Sequence, residues 1–307
     1  MTAALPLVCH EAYEVDIGPH VFPTAKYRLV LERLREEGLL ERLALHRPAP
    51  ATDADILLVH TPEWVRKFRD GDLTTAERLT LEVPWSPALV RASWVCAGGS
   101  VLTARHAREA GVAVHLGGGF HHAFPDHGEG FCAINDVAVA VRVLQREGEI
   151  ERAVIIDLDV HHGNGTAAIF ADDPSVFALS FHQEHNYPWP KPPGDLDVGL
   201  EDGTRDEAYL ALLDRHLPRV LDAHGPNFAF YLAGADPYRE DQLGGLGLTL
   251  EGLRARDDRV LGALVDRGIP VAVCLAGGYA VRREDTVTIH AGTVAAALAA
   301  LEDSRAG

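Results

Sequence analysis

The feature that most constrains the fold of this chain is the alternation of short apolar runs with longer amphipathic segments. The apolar runs are four or five residues long, are bounded by polar residues or glycine, and are typical of buried strands. They occupy residues 5–8, 56–59, 112–116, 153–156, 176–179, 228–232 and 271–275. Amphipathic segments of helical length cover residues 25–37, 88–109, 135–147, 207–223, 250–266 and 288–301. Strands that alternate with helices predict right-handed crossovers and a mostly parallel sheet with helices on both faces.

The composition favours a single large domain. The chain has 307 residues, of which 47% are hydrophobic and 24% are charged. This composition is that of an ordinary globular protein, and the chain is long enough to bury a large core. The sequence contains no internal repeat, low-complexity tract or linker-like segment that would divide it. We therefore predict one α/β domain over residues 1–307, with a three-layer αβα architecture.

Charge and cysteine content argue against several classes of partner. The formal net charge is −17 and the basic residues form no cluster, so direct binding to nucleic acid is not expected. No apolar run approaches the roughly 18 residues of a membrane span, and the N-terminus lacks the basic start of a secretory signal. The four cysteines are far apart, which predicts reduced thiols instead of disulfides or a cysteine metal site. We expect a soluble, cytoplasmic protein with no membrane contact.

Glycine, histidine, aspartate and tyrosine follow five of the predicted strands. The segments are GGGFHH at 117–122, DLDVHHGNG at 157–165, SFH at 180–182, AGAD at 233–236 and AGGY at 276–279. In parallel sheets, ligands bind outside the carboxyl ends of the strands, where such segments converge. A purely structural sheet has no need for titratable groups at one end of every strand. The sequence therefore predicts a functional site at this edge of the sheet.

One of these segments has the spacing of a metal site. Asp157, Asp159 and His161 alternate along the chain, so in extended geometry their side chains point to the same side. With Asp236 from a neighbouring segment, this stretch can supply two carboxylates and one imidazole to a single ion. Three protein ligands leave a divalent ion an open position for water. Zinc fits this set, and iron(II) or cobalt also fits because oxygen-rich ligand sets discriminate weakly among these ions.

The adjacent histidines His121 and His122 can provide acid–base chemistry. Amide hydrolysis needs a base that deprotonates a metal-bound water and an acid that protonates the departing amine. Asp157 and Asn164 are polar groups that can fix the tautomer of each imidazole. Because a carboxylate raises the basicity of a histidine more than an amide does, the two histidines should differ in charge state. Tyr279 follows two glycines and can donate to a developing oxyanion.

These motifs together resemble one protein family. Four segments carry the likeness: GGGFHHAFPDHGEGFCAIND at 117–136, VIIDLDVHHGNGTAAIF at 154–170, AGADPYREDQLGGLGLT at 233–249 and AGGYA at 276–280. They closely resemble the histone deacetylases of the arginase/deacetylase superfamily in order, spacing and predicted strand context. The likeness runs from about residue 20 nearly to the C-terminus. The short chain, the triple glycine before FHH and the DQLGGL segment favour class IV and its bacterial relatives over class I.

The resemblance implies one catalytic zinc ion on Asp159, His161 and Asp236. A metal-bound water would attack the acyl carbonyl, and Tyr279 would polarise that carbonyl and stabilise the oxyanion. The implied fold is the arginase/deacetylase fold, with the active site at the carboxyl ends of the strands.

The resemblance also implies distinct roles for the two histidines. His121 would pair with Asp157 and act mainly through its charge. His122 would pair with Asn164 and serve as general base and then general acid. Asn164 stands where class I enzymes carry aspartate, which should leave His122 less basic.

A substrate tunnel is implied by a further match. Gly130 and Phe131 correspond to the family segment that lines the acyl-lysine tunnel, with Phe131 as one aromatic wall, and Gly277 belongs to the substrate-binding segment beside the catalytic tyrosine. The opposite wall should come from residues 182–193, where Tyr187 and Trp189 are the candidates.

The family also binds potassium beneath the zinc. The resemblance places that ion on Asp157, Asp159, His161 and Ser180, together with the carbonyl of Phe181.

The activity implied is deacylation of N-ε-acyl-lysine in a protein or peptide. An amidohydrolase that acts on acetylated polyamines or another small acylated amine would use the same core motifs and is the alternative. A ureohydrolase of the arginase type would need further aspartate ligands for two manganese ions. A catalytically inactive acyl-lysine reader is disfavoured by the intact tyrosine, histidines and ligands.

Overall fold

The apolar runs of the sequence form the interior of an eight-stranded sheet in the computed structural model, which describes residues 4–306. The strands are β1 (Leu5–Val8), β2 (Leu43–His46), β3 (Val112–His115), β4 (Ala153–Asp157), β5 (Val176–Gln183), β6 (Leu196–Leu200), β7 (Phe228–Leu232) and β8 (Val271–Cys274). They lie in the order β2-β1-β3-β8-β7-β4-β5-β6. Every pairing between neighbours is parallel. The predicted parallel sheet is confirmed.

The helices lie between the strands along the chain, as predicted. They are α1 (Lys26–Glu36), α2 (Asp53–Ile56), α3 (Pro62–Asp70), α4 (Thr75–Leu81), α5 (Pro87–Ala110), α6 (Asp136–Arg146), α7 (Asn164–Phe170), α8 (Asp206–His224), α9 (Leu250–Val265) and α10 (Arg283–Ala306). Two single 3-10 turns occupy Glu11–Tyr13 and Leu40–Arg42. All six predicted helices are present, with shifted ends. Within residues 4–306, no helix is both long and apolar enough to cross a bilayer.

Two apolar cores lie on opposite faces of the sheet. In β4, Val154 and Ile156 pack into one core, whereas Ala153 and Ile155 pack into the other. This alternation follows from the two-residue period of a strand. Helices α1, α8, α9 and α10 cover the first core, and α3, α5 and α6 cover the second. The structure therefore has the three αβα layers predicted from the sequence.

The predicted strand over residues 56–59 is wrong. Ile56 is the last residue of the short helix α2, and residues 57–59 form the turn after it. Thr52 caps the start of this helix: the Thr52 side chain accepts the Asp55 N–H, and the Asp55 carboxylate accepts the Thr52 N–H. Such a reciprocal cap stabilises a helical turn. Leu57 and Leu58 are 43% and 37% exposed, so of this run only Ile56 is fully buried, while Val59 packs against the core from its edge.

The two edge strands were missed by the sequence analysis. β2 and β6 pair with another strand on one side only and contain one and two buried residues, respectively. Their sequences, LALH and LDVGL, therefore lack the continuous apolar run by which the buried central strands were found.

Candidate metal and acid–base site

The loops at the carboxyl ends of β3, β4 and β8 surround one cavity. The loop after β7 approaches the same place from the side. The predicted site residues that line the cavity are His121, His122, Gly130, Phe131, Asp159, His161, Gly277 and Tyr279. The structure thus brings together segments that are more than a hundred residues apart in the sequence.

Asp159, His161 and Asp236 form a buried cluster whose candidate ligand atoms all lie within 4.8 Å of one another. His161 Nδ1 lies 3.0 Å from Asp159 Oδ1 and 3.7 Å from Asp236 Oδ2. The Asp236 Oδ2 atom is buried and has no hydrogen-bond partner. Burial and the neighbouring Asp159 carboxylate raise the pKa of Asp236 well above its usual value. A bound cation would reduce the repulsion between the Asp159 and Asp236 carboxylates and would give Asp236 Oδ2 a partner.

Among the described residues, two other clusters have comparable spacing, but neither contains a buried carboxylate oxygen without a hydrogen-bond partner. Asp136 lies beside Cys96 and His115 and accepts the main-chain N–H groups of Gly119 and Phe120. Its hydrogen bonds hold the loop that carries the two candidate catalytic histidines. In the second cluster, made by His162, His182 and Asp197, the carboxylate accepts from His162 and from the Gly194 N–H.

Each of the adjacent histidines has the partner that was predicted for it. His121 Nδ1 lies 2.6 Å from Asp157 Oδ2, and His122 Nδ1 lies 2.6 Å from Asn164 Oδ1. The two Nε2 atoms are 3.1 Å apart. Asn164 is the first residue of α7, so the helix fixes its position.

The different partners give the two histidines opposite pKa shifts. Burial alone would lower the pKa of His121, but the carboxylates of Asp157 and Asp159 raise it to about 9. Burial lowers the pKa of His122 well below its usual value, and the neighbouring His121 and His161 lower it further. His121 is therefore charged and His122 neutral near pH 7.

Tyr279 is held at the cavity by its main chain and its ring. Its N–H donates to Asp241 Oδ2 at 2.7 Å, and its ring lies edge-on to Phe131 with centroids 6.0 Å apart. Burial raises the pKa of Tyr279 well above 10, and the carboxylates of Asp159 and Asp236 raise it further. The phenol therefore stays protonated and remains a hydrogen-bond donor.

Gly277 lies directly against the carboxylates of Asp159 and Asp236. Its N–H donates to Asp159 Oδ2 at 2.9 Å. A Cβ atom at this position would collide with the Asp236 carboxylate and lie 2.5 Å from Asp159 Oδ2. Only glycine lets the chain pass this close to the two carboxylates, so the residue contacts the candidate ligands as well as the cavity.

Phe131 was predicted as one wall of the substrate tunnel, and Tyr187 and Trp189 were the candidates for the opposite wall. Phe131 stacks on Phe22 with centroids 6.0 Å apart. Tyr187 lies edge-on to His122 with centroids 5.1 Å apart, close to the acid–base pair. Trp189, the other candidate, is 68% exposed and has Lys191 Nζ 3.9 Å from its ring centroid. The structure therefore places Tyr187, and not Trp189, beside the site.

Of the residues predicted to hold potassium, Asp159 and His161 belong to this cluster, whereas the others lie on β4 and β5. Asp157 and Ser180 are paired in register on β4 and β5. Ser180 Oγ lies 3.0 Å from His182 Nδ1, and the Phe181 side chain is fully buried in the core.

Several polar groups at the site were missed by the sequence analysis. Glu129 contacts the partner of His122, Asp241 holds Tyr279, and the fully buried Lys26 donates from Nζ to Ala276 O at 2.5 Å. Arg256 is also fully buried beneath the site. Glu129 and Asp241 lie within the quoted family segments, but without a partner they read as ordinary loop carboxylates. A buried lysine or arginine leaves no comparable signal, because both residue types are usually exposed.

Comparisons with known proteins agree with the fold and the site. A family model described as "Histone deacetylase domain" matches residues 20–294. An uncharacterized protein from Picosynechococcus sp. is 42% identical over 93% of this chain and 95% of its own length. A probable deacetylase from Archaeoglobus fulgidus is 32% identical over 90% of this chain and 81% of its own length.

Other similar proteins include a plant enzyme and a solved structure. Histone deacetylase 2 from Arabidopsis thaliana is 31% identical over 85% of this chain and 70% of its own length. The crystal structure of the HDA15 HD domain has the same fold, with a TM-score of 0.77, 24% identity, and coverage of 97% of this chain and 94% of that chain. Because the family model and these relatives span most of the chain, the protein belongs to the histone deacetylase family and is an amide-hydrolysing deacetylase.

Proposed function

We propose that this protein hydrolyses N-ε-acyl-lysine in proteins or peptides with the help of one bound zinc ion. The observation that carries the proposal is the convergence, at one cavity, of the Asp159–His161–Asp236 cluster, two differently charged histidines and a protonated tyrosine. Each is a part that amide hydrolysis requires: a cation site, a base and an oxyanion donor.

The residues present fit a divalent cation. Two carboxylates and one imidazole are buried together, and Asp236 Oδ2 lacks a partner. Catalytic zinc sites have three protein ligands, and both aspartate and histidine bind zinc, while iron(II) is also compatible with the oxygen-rich donors. A zinc ion held by Asp159, His161 and Asp236 would activate a water molecule and polarise the substrate carbonyl.

His122 is the residue that we assign to proton transfer. With Nδ1 donating to Asn164 Oδ1, the His122 Nε2 atom carries a lone pair, which faces His121 Nε2 at 3.1 Å and would take a proton from water in place of that contact. Its lowered pKa keeps it neutral beforehand. The same atom then returns the proton to the leaving lysine amine. His121, charged and paired with Asp157, stabilises the negative charge that develops beside it.

Tyr279 is assigned to the oxyanion. Its protonated hydroxyl can donate to the carbonyl oxygen as negative charge develops there. The hydrogen bond from the Tyr279 N–H to Asp241 fixes the chain from which the side chain projects.

The substrate is assigned to the space between Phe131 and Tyr187. Two aromatic rings suit the apolar methylene chain of a lysine, and Gly130 leaves room between them. The φ of Gly130 is +51°, and a Cβ atom there would lie 2.8 Å from His122 Cδ2 and 2.9 Å from the Tyr187 hydroxyl. Gly277 completes the floor beside the carboxylates.

We also propose a structural potassium site behind the catalytic cluster. Asp157 and Ser180 are paired in register on β4 and β5, and Asp159, His161 and the carbonyl of Phe181 would complete the set. Oxygen ligands of this kind suit a hard cation.

Three broader assignments belong to the same proposal. The triple glycine at 117–119 and the DQLGGL segment support class IV and its bacterial relatives. The four free cysteines support a reducing, cytoplasmic location. The single sheet and its two cores support one catalytic domain over residues 1–307.

The test is hydrolysis of a panel of acyl-lysine peptides and acetylated polyamines, from acetyl to long-chain acyl, by zinc-loaded protein. We expect turnover of acyl-lysine that falls about 100- to 1000-fold in Tyr279→Phe, because one oxyanion donor is lost. The variant should keep its zinc content, since Tyr279 is not a proposed ligand. Turnover of acetylated polyamines alone, or an unchanged rate in the variant, would refute the assignment.

A further inference from the structure

Glu129 joins two parts of the site that are distant in the sequence. Its Oε1 accepts hydrogen bonds from Asn164 Nδ2 at 2.6 Å and from the Tyr187 hydroxyl at 2.9 Å. Its main chain is fixed too: the Glu129 N–H donates to Cys132 O at 2.9 Å, and the Glu129 carbonyl accepts the Cys132 N–H at 2.8 Å. The carboxylate is thus anchored between the partner of the proposed base and one wall of the tunnel.

We propose that Glu129 is a positioning residue for His122 and acts through Asn164, an inference that rests on the function proposed above. A carboxylate only accepts hydrogen bonds, so Asn164 must turn its NH2 group to Glu129 and its Oδ1 to His122. His122 Nδ1 must then carry the hydrogen. The lone pair is left on His122 Nε2, which is the atom that a general base needs.

Glu129 also supplies a charge to this chain of hydrogen bonds. Burial alone would raise its pKa, but His127, with Nε2 3.6 Å from Glu129 Oε2, and the hydrogen bonds from Tyr187 and Asn164 lower it below its usual value. The group is therefore ionised near neutral pH. Hydrogen bonds to an ionised acceptor are stronger than neutral ones, and they polarise the next bond in a chain. The Asn164 carbonyl becomes a better acceptor for His122 as the imidazole takes up a proton.

The same oxygen of Glu129 fixes Tyr187. The Tyr187 ring lies edge-on to His122, and its hydroxyl ends on the carboxylate that Asn164 also contacts. One carboxylate therefore sets the distance between the tunnel wall and the base. Its side chain is only 18% exposed, which shields these bonds from water.

A double-mutant cycle separates this role from simple packing. Glu129→Gln keeps an acceptor for Asn164 but removes the charge, and we expect kcat to fall about 3- to 10-fold with a smaller change in KM. Asn164→Asp places two carboxylates in contact and should lower kcat by repulsion. Adding Glu129→Gln to Asn164→Asp should then raise kcat, because the amide introduced at position 129 can donate to the new carboxylate. The same substitution thus has opposite effects in the two backgrounds.

Glu151→Gln is the control for the same change of carboxylate to amide, since Glu151 is an exposed residue outside the site. It should leave kcat near that of the wild type. Zinc content and melting temperature are measured for every variant, and a general loss of folding cannot reverse the sign of one substitution. An active wild type in which Glu129→Gln changes kcat by the same factor in both backgrounds, or not at all, overturns the role of Glu129 alone. A wild type without turnover on the panel overturns the proposed function as well.

Discussion

Arg256 of α9 connects two loops of the site from below. Its Nη1 donates to the carbonyl oxygens of Gly234 at 2.7 Å and Leu158 at 3.3 Å, and its Nε donates to Asp257 Oδ1 at 3.0 Å. The two carbonyls belong to the loops that carry the proposed metal-binding carboxylates. Both charged side chains are almost completely buried, with exposed fractions of 0% and 1%. We therefore expect Arg256→Met to destabilise the fold strongly.

The magnitude follows from what the substitution leaves behind. Removing one partner of a buried ion pair costs about 3–5 kcal/mol, because the other charge stays buried without compensation. Asp257 keeps two neutral donors, the Tyr231 hydroxyl at 2.5 Å and Thr293 Oγ1 at 2.6 Å, which favour the lower end of that range. The two carbonyls that lose their donor act in the opposite direction. The expected loss in the free energy of unfolding is about 3–4 kcal/mol.

The assay is urea unfolding in the presence of a chelator, so that metal binding does not contribute. Arg259→Met is the matched control on the same helix, because Arg259 pairs with Asp214 while both side chains are largely exposed, at 39% and 55%. Such surface pairs contribute about 0–1 kcal/mol. A loss below about 1 kcal/mol for Arg256→Met, or one equal to that of the control, would refute the reasoning that the buried pair stabilises the fold.

Two further predictions concern the metal site and the pH dependence. Gly277→Ala should abolish zinc binding and with it activity, because the added methyl group collides with Asp236. Gly262→Ala is the control and should bind zinc normally, because its methyl group meets open space. Titration calorimetry with zinc measures the binding of both variants. Burial lowers the pKa of His60 to about 4, below the value of 6.5 for an exposed histidine, while its Nδ1 donates to Phe124 O. Between these two pH values the unfolded chain binds more protons than the folded protein, so stability that is present above pH 6.5 should be lost as the pH falls toward 4. The free energy of urea unfolding should therefore depend less on pH in His60→Gln than in the wild type.

The central part of the fold was predictable because both faces of its strands are buried. A strand such as β4 must be apolar at every position before its last residue, and that run stands out in the sequence. The edge strands β2 and β6 are partly exposed, and neither has an apolar run of the length by which the central strands were predicted. The run at 56–59 failed for the opposite reason: its leucines are apolar but exposed, and the cap at Thr52 decides the local structure.

The candidate site was predictable where a residue type at a fixed spacing is itself the chemical signal. Asp159 and His161 on one extended segment, and His121 beside His122, are signals of this kind. The choice between Tyr187 and Trp189 was not predictable. The choice depends on the path of the loop that carries both residues, and in the sequence each is an aromatic residue at a suitable distance from the strand. Only the folded loop places Tyr187 beside His122 and leaves Trp189 exposed.

The groups that sequence reasoning missed share one physical feature: each acts on a main chain or on another polar side chain, and not on the cavity. Asp136 holds the N–H groups before His121, Asp241 holds the N–H of Tyr279, and Arg256 holds two carbonyls beneath the ligands. Their partners come from loops distant in the sequence, so no local spacing marks them. The candidate ligands and the two histidines lie in loops, and their short side chains cannot fix the positions of those loops. The precision of the site therefore depends on these buried polar contacts, and substitutions there should impair the site while every catalytic side chain is still present.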